Sequence, residues 1–419
     1  MNEIYAVLDI GSATIELLVG EVVNSNLHVL FAKKVPSHGV KKGIVEDDRT
    51  LVRDIQALVH EANEFLEGEI KSVGINIPTI RAKLYQSNSS LSLNGEETVT
   101  NEDIVRGLQL SKRIKISSKE EVVCVIPVRY HSDSGMSLDA PVGQKTRNLI
   151  VDSLIITSQK RILYPYIAAV EKAGLEVMDI CVNAYSCAKE AFDAVYLQEG
   201  ALIIDIGYKT STVSFYKDGY LQYLTVCPVG GYNLTRAIAQ NLQISMNQAE
   251  TYKIKYGSLD YTIGQEDIIH TTEMPDGRVD YTQKDLALIL ETATIDILNV
   301  IKEKIKMIEN SSNYETLIVG GGGELEMLDK VASSVLEGPI RVYRPDIIGI
   351  RDMAFVSSVG MIFYMSDRAK YLGPYERSVE LPDISNTMSI RFKGLTKASV
   401  PKEKTGKLSK LLDTFFKED

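Results

Sequence analysis

Cysteine and histidine are scarce in this chain, four and five among 419 residues. The cysteines (Cys124, Cys181, Cys187, Cys227) form no CxxC pair and lie inside apolar runs. That excludes a disulfide framework and predicts buried small hydrophobes in a reducing compartment. The histidines are scattered, without HExxH or HxxxH spacing, which disfavours a zinc site. No apolar run approaches the roughly 18 residues of a membrane-spanning helix. The N-terminus MNEIYAVLDIGS lacks the basic start and small-residue cleavage site of a signal peptide, so a cytosolic protein is expected. Lys and Arg (46) are outnumbered by Asp and Glu (56), for a net charge of −10. A nucleic-acid-coating surface needs clustered cations, so no nucleic acid partner is expected. No P-loop GK[ST] and no GxGxxG occurs, which disfavours a Rossmann dinucleotide site.

What remains is ordinary globular composition, 44% apolar and 24% charged, long enough for two to four units with sizeable cores. A strand pattern at Tyr5–Leu8 ends in Asp9-Ile10-Gly11, and further strands follow through Glu16–Val22 and near His28–Phe31. Leu51, Ile55, Leu58, Val59, Ala62 and Leu66 then fall on one helical face. The same plan returns at Ala201–Ile204, which ends in Asp205-Ile206-Gly207 and is followed by strands at Ser211–Tyr216 and Tyr220–Val226. The duplication predicts a two-lobed α/β protein.

Each half carries an insertion. From about Lys83 to Ser158 run a polar stretch (Ser87–Thr100), a helix (Asn101–Lys112) and strands at Val122–Tyr130 and Asn148–Ile156, which together read as a small subdomain. Asn233–Asn310 is mostly helical in pattern, with a polar hairpin near Asp276–Tyr281. The last patterned helix, Phe355–Met365, precedes a stretch from Ser366 to Thr405 read as a linker.

A strand that ends in Asp-x-Gly and turns through small and hydroxyl residues brings backbone N–H groups near a carboxylate. The amides can hold phosphate oxygens, and the carboxylate can orient the water shell of Mg²⁺. The bland alternative is a hairpin turn. Asp9-Ile10-Gly11-Ser12-Ala13-Thr14 has this form, and Asp205-Ile206-Gly207-Tyr208-Lys209-Thr210 repeats it at the matched position. Two opposed turns can clamp a nucleotide's phosphates. Leu317-Ile318-Val319 leads into four glycines, Gly320–Gly323, then Glu324 and a helix, a junction that admits close approach of a ring or phosphate. Gly230 and Gly231 form a fourth candidate site. Glu250 and Lys253, one helical turn apart, could reach ribose or adenine, or be only a solvated surface pair.

At the C-terminus, Leu408, Leu411, Leu412, Phe415 and Phe416 make one apolar stripe flanked by Lys407, Lys410 and Lys417. After a linker, such a helix favours a membrane surface or a partner groove over docking on its own domain. Five lysines against four acidic residues past Pro401 give slight help from anionic lipid. One copy should bind weakly and a polymer firmly.

These residues resemble the FtsA family, the actin-like proteins of bacterial cell division. The paired turns and the glycine junction are shared across the actin superfamily with sugar kinases and DnaK-type chaperones. More specific are VPSHGVKKGIVEDDRTLVRDI (Val35–Ile55), VCVIPVRYHSDSGMSLDAPVGQKTRNLIVDSLIIT (Val123–Thr157), PVGGYNLTRAIAQNLQISMNQAETYKIKYG (Pro228–Gly257) and the amphipathic tail. The resemblance covers residues 3–365 and the tail.

The resemblance implies a two-lobed actin-like ATPase fold with a family-specific inserted subdomain and a C-terminal membrane-targeting helix. The first lobe would be 1–82 with 159–198, and the insertion 83–158. The second lobe would be 199–232 and 311–365, a helical subdomain 233–310, the linker 366–405 and the helix 406–419. ATP and Mg²⁺ would bind between the lobes. Gly11, Ser12, Ala13, Thr14, Gly207, Tyr208, Lys209 and Thr210 would lie at the phosphates, and Asp9 and Asp205 near Mg²⁺ through water. Gly230, Gly231, Glu250 and Lys253 would lie near ribose and adenine, and Gly321, Gly322 and Gly323 near the base. The resemblance further implies filaments of the protein itself, attachment to an anionic membrane surface at the division site, binding of the FtsZ C-terminal peptide by the helical subdomain, and recruitment of later divisome proteins.

Two departures stand out. The family's second turn commonly reads Asp-x-Gly-Gly-Gly-Thr, where this chain has Tyr208 and Lys209; side chains there should restrict backbone approach, although Lys209 could meet phosphate itself. Position 14, often Lys, is Thr14. Nucleotide binding is expected to survive both changes. No residue presents itself as a general base for water, so at most a weak ATPase is expected. The competing readings are a phosphotransferase or phosphatase of the same fold, and a pilus-assembly homologue of the PilM type.

Overall fold

The first eight described residues form strand β1 (Glu3–Ile10), which pairs antiparallel with β2 (Thr14–Val23), itself paired with β3 (Asn26–Pro36). The computed structural model describes residues 3–138, 140–262, 266–274 and 277–373. The C-terminal stripe Leu408, Leu411, Leu412, Phe415 and Phe416 lies outside them, as does the expected linker beyond Gly373. A two-stranded ribbon, β4 (Val40–Lys41) and β5 (Ile44–Val45), leads into helix α1 (Asp48–Leu66). Asp47 caps α1 by accepting from the Arg49 and Thr50 N–H groups. Leu51, Ile55, Leu58, Val59 and Ala62 are buried, the face that the sequence spacing predicts. Strand β6 (Ser72–Ile77) then lies parallel to β1.

The insertion follows as β7 (Lys83–Thr98), α2 (Asn101–Ser111), β8 (Glu120–His131) and β9 (Lys145–Gln159). Its sheet has the order β7-β9-β8, and α2 packs on it over a separate core that includes Leu91, Leu93, Leu108, Leu149 and Val151. The polar stretch expected at Ser87–Thr100 is therefore mostly strand. Ser89, Leu91 and Leu93 point inward, and Ser90 and Ser92 face water. The alternation is hidden because Ser89 is buried by donating to the Gly107 carbonyl rather than by being apolar.

The first lobe resumes with α3 (Lys160–Lys172) and β10 (Glu176–Val182), which gives a sheet of order β10-β6-β1-β2-β3. Helices α4 (Asn183–Ala191) and α5 (Ala194–Glu199) carry the chain across to β11 (Ala201–Ile206), β12 (Ser211–Lys217) and β13 (Tyr220–Cys227). Then come α6 (Gly231–Leu242), α7 (Met246–Tyr256), a hairpin of β14 (Ile268–Met274) and β15 (Gly277–Thr282), and α8 (Gln283–Ile305). Strand β16 (Glu315–Val319), α9 (Leu328–Val335) and β17 (Ile340–Val342) complete a sheet of order β13-β12-β11-β16-β17. In both lobes three antiparallel strands are followed outward by two parallel ones. The duplicated plan is thus a duplicated topology, and the two-lobed α/β architecture with an insertion in its first half is what the sequence predicts.

The last described helix, α10 (Val356–Leu372), departs from expectation twice. It runs past Met365, so residues 366–372 are helix and not linker; Arg368 is buried, with its guanidinium beside Asp179 and donating to the Tyr364 hydroxyl, and Tyr371 packs on the core of the insertion. Its main packing is on α4, β1, β2, β6 and α2 of the first lobe and its insertion, although its sequence position put it in the second lobe. Gly360 makes this possible. A Cβ there would be driven into the Ser186 carbonyl oxygen of α4, so the two helices cross at near-backbone contact.

Candidate nucleotide cleft

Register puts Asp9 and Asp205 at equivalent places, each one residue before the end of the central strand of its sheet. Asp9 faces Glu16 on β2 and Asn76 on β6, whereas Asp205 faces Thr212 on β12 and Val319 on β16. The turns that follow close identically. The Gly11 N–H donates to the Thr14 carbonyl at 2.9 Å, and the Gly207 N–H to the Thr210 carbonyl at 3.0 Å. Neither Tyr208 nor Lys209 stands at positive φ, so the backbone here does not require the family's glycines, and their side chains leave the turn's closure unchanged. The Ala13 carbonyl accepts from the Ser37 N–H at 2.7 Å, and the Ser12 hydroxyl from the Gly43 N–H at 3.2 Å, which ties the first turn to the β4–β5 ribbon.

Asp9 is buried and held from two helices. The Asn183 amide at the start of α4 reaches both its oxygens at 2.9 and 3.1 Å, and the Ser357 hydroxyl at the start of α10 donates to it. Behind these, Asn76 donates to the Ser357 carbonyl at 2.9 Å and accepts from Ser186 at 2.7 Å. Glu16 is equally buried, and among the described residues its Oε1 has no hydrogen-bond partner. Burial pushes the Asp9 carboxyl up. Burial and then the charge of Asp9 push Glu16 well up and raise Asp205 to about 7. A floor where the charge of Asp9 opposes the ionisation of both Glu16 and Asp205 is the environment that a cation relieves. Among the described residues no three or more His, Cys, Asp or Glu side chains are placed to hold a metal directly. Mg²⁺ commonly keeps several waters, and carboxylates such as Asp9 and Asp205 have the chemistry to accept hydrogen bonds from such a water shell.

The second lobe supplies a glycine-lined wall. The Gly231 N–H donates to the Gly207 carbonyl at 2.9 Å, and the Tyr232 N–H to the Tyr208 carbonyl at 2.7 Å, so the start of α6 sits on the second turn. Gly322 lies against both: a Cβ on Gly231 would come within 3.5 Å of its Cα, and one on Gly322 would press on the Gly207 carbonyl at 2.7 Å. Gly320, at φ +89°, abuts the Asp205 carboxyl so closely that no side chain fits. Gly321–Gly323 form a 3-10 turn, and α9 begins only at Leu328, not directly after Glu324 as expected. Met327 takes the left-handed conformation there, and the Glu324 carboxylate is engaged by the Met353 N–H at 2.9 Å.

Glu250 and Lys253 are folded inward. The Lys253 ammonium donates to Glu250 at 2.9 Å, to the Thr235 hydroxyl at 2.9 Å and to the Gly231 carbonyl at 3.3 Å. Its pKa is lowered by burial, against the opposing pull of Glu250. Gly207, Tyr208, Gly230, Gly231, Glu250, Lys253 and Gly321–Gly323 thus lie together on one wall, with Asp9 and Asp205 at the floor. Sequence reasoning missed Glu16, Asn76, Asn183 and Ser357. Only Asn183, a polar residue at a strand end before a small-residue helix, carries a local signal.

The family model for "Cell division protein FtsA" matches residues 202–360, and that for the "SHS2 domain inserted in FTSA" matches residues 81–157, the insertion described above. The "Type IV pilus assembly protein PilM" model matches residues 136–263. Among relatives, the cell division protein FtsA of Bacillus subtilis (strain 168) is 26% identical over 436 residues, covering 99% of each chain. Among solved structures, the PilM–PilN type IV pilus biogenesis complex is similar at TM-score 0.59 and 14% identity, covering 86% of this chain and 98% of that one. MreB5 of Spiroplasma citri bound to ADP is similar at 0.52 and 13%, covering 88% and 98%. At those identities the structures speak for the fold alone. The two FtsA models together span more than half of the chain, the insertion they mark is in place, and the chain belongs to the FtsA family of actin-like cell division proteins.

Proposed function

We propose that this protein binds Mg²⁺ and ATP between its lobes, polymerises, and tethers the FtsZ ring to the cytoplasmic face of the membrane at the division site, where it helps to recruit later divisome proteins. The observation that carries the reading is the matched pair of turns over Asp9 and Asp205, closed by the same hydrogen bond at the same place in two topologically equal sheets. In this reading the turn amides of Gly11–Thr14 and Gly207–Thr210 receive phosphate oxygens from opposite lobes. Asp9 and Asp205 orient the waters of the metal, with Asn183 and Ser357 fixing Asp9. The bound Mg²⁺ would offset the carboxyl and phosphate charge. Glycines on the second-lobe wall leave room for the nucleoside beside Glu250 and Lys253. Ligand held by both lobes fixes their relative position, which favours one polymerisable form.

Among the described residues no helix is long and apolar enough to cross a membrane. Membrane attachment is assigned to the stripe Leu408, Leu411, Leu412, Phe415 and Phe416. Each such side chain contributes at most ~1.5–3 kcal/mol when fully buried, and interfacial burial is partial, so linkage in a filament supplies the firmness. The FtsZ C-terminal peptide is assigned to the helical subdomain, α6 to α8.

A pilus-assembly role is the second reading, favoured by the match of residues 136–263 to the PilM model. The FtsA-specific insertion and the lipid-seeking tail speak for the first. Flotation with anionic vesicles, ATP and FtsZ separates them. FtsZ should float with the full chain and not with a chain that ends at Lys404. A full chain that carries neither itself nor FtsZ to the vesicles overturns the tether.

A further inference from the structure

From Ile104 to Lys119 the chain carries five cations, Arg106, Lys112, Arg113, Lys115 and Lys119, and no Asp or Glu. All but Arg106, which pairs with Asp103 at 3.2 Å, lie on the loop between α2 and β8. Hydrogen bonds fix this loop in place. The Arg113 N–H donates to the Leu110 carbonyl at 3.1 Å, the Ile114 N–H to the Lys112 carbonyl at 2.8 Å, and the Lys160 N–H at the start of α3 to the Lys119 carbonyl at 2.9 Å. Ile114 packs on the insertion's core and Ile116 is half-buried, while Arg113, Lys115 and Lys119 are exposed. Among the described residues Arg113 and Lys115 have no ion-pair partner. The acids that follow the loop are engaged elsewhere: Glu120 is buried and paired with Lys83, and Glu121 accepts from the Tyr164 hydroxyl at 2.9 Å and lies 3.6 Å from the Lys160 ammonium. Helix α2 relates the loop to the tail. At its first residue the Asn101 amide donates to the Lys370 carbonyl at 3.3 Å, and α10 ends two residues later at Leu372. The segment that leads to the apolar stripe thus departs beside one end of α2, and the basic loop begins at the other, about 16 Å away along the helix.

We infer that the α2–β8 loop is a second membrane contact, in which Arg113, Lys115 and Lys119 meet the headgroups of an anionic lipid surface and turn the insertion toward it. The inference rests on the tether reading, which brings the chain to the membrane. With a net charge of −10 the chain as a whole is repelled by anionic lipid, and five lysines against four acidic residues past Pro401 do little to offset that. The exposed cations of the loop supply what the tail lacks. Their attraction is local, because salt screens exposed charges beyond about 10 Å at 0.1 M ionic strength. The stripe then provides apolar anchorage, and the loop provides the preference for anionic lipid and a fixed orientation. Two contacts joined by one chain reinforce each other without either being strong.

The test is sedimentation of the full chain with vesicles of phosphatidylcholine alone, and with vesicles of phosphatidylcholine and phosphatidylglycerol in equal parts. Wild type should bind the anionic vesicles more tightly than the neutral ones. Arg113→Gln combined with Lys115→Gln should lower the anionic affinity by about tenfold or more and leave the neutral binding within about twofold. The wild-type affinity for anionic vesicles should fall more steeply with salt than that of the double variant, a difference that a merely structural loop would not produce. Unchanged thermal melting of the double variant separates these effects from misfolding. A double variant that keeps the wild-type affinity for anionic vesicles overturns the loop contact and leaves the tether standing. Equal losses on neutral and anionic vesicles overturn it as well, because the loop would then not be reading charge. A full chain that binds neither vesicle overturns both readings. Capture of a polyglutamate peptide that is lost in the double variant, with vesicle binding unchanged, assigns the loop to an acidic protein and overturns the lipid contact.

Discussion

Asp9 shows how far a single residue can be read. Its place at a strand end before Ile10-Gly11 identifies it from sequence alone, and its twin Asp205 is found the same way. Its supports are not legible: Asn183 stands 174 residues away and Ser357 stands 348 away, so only folding makes them neighbours. Each hydrogen bond to a carboxylate is worth about 1.5–3 kcal/mol. Asn183→Ala should therefore lower Mg·ATP affinity by about tenfold or more, read by titration calorimetry, with little change in fold. Unaltered affinity would mean that Asp9 does not face the metal. Glu190, half-buried on α4, is a second case. Burial raises its carboxyl to about 7, although the Tyr343 hydroxyl donates to it at 2.8 Å. A carboxyl whose folded pKa lies above its unfolded value binds more protons when folded, so stability falls as pH rises from about 4.5 to 7. Across that window the denaturation midpoint of the wild type should fall relative to Glu190→Gln, by at most about 2 kcal/mol in free energy. Parallel pH profiles would remove Glu190 from the account.

At the scale of elements, legibility follows periodicity. Helix α1 is readable because its apolar face repeats at helical spacing, and β1 and β11 because they are short and continuous in apolar residues. Strand β7 is not, because its inward positions include Ser89, satisfied by a carbonyl. Helix α10 is misjudged at its end because Arg368 and Tyr371 look like linker residues until Asp179 and the insertion's core receive them. The contact between α4 and α10 holds both of Asp9's helical supports. Gly360→Ala would push a methyl into the Ser186 carbonyl. The expected cost is about 3 kcal/mol, at the high end of overpacking, measured by chemical denaturation. A variant within about 0.5 kcal/mol of wild type would show that the helices do not meet as described.

For the whole molecule, the repeat of Asp-x-Gly predicts two lobes, and the structure returns two sheets of one topology that face a common floor. The glycine wall was legible only as separate runs. That Gly207, Gly231 and Gly322 meet depends on α6 seating on the second turn, which no local pattern states. The position of α10 on the first lobe is likewise invisible in sequence order, because the chain returns to its starting sheet after crossing the second. The central claim is that this cleft holds Mg²⁺ and a nucleotide together. Its most direct test is a calorimetric titration of the full chain with ATP, with and without Mg²⁺, in wild type and Asp205→Asn. One site whose affinity depends on Mg²⁺, with that dependence lost in Asp205→Asn, is the predicted result; no binding, or binding indifferent to both metal and substitution, would contradict it.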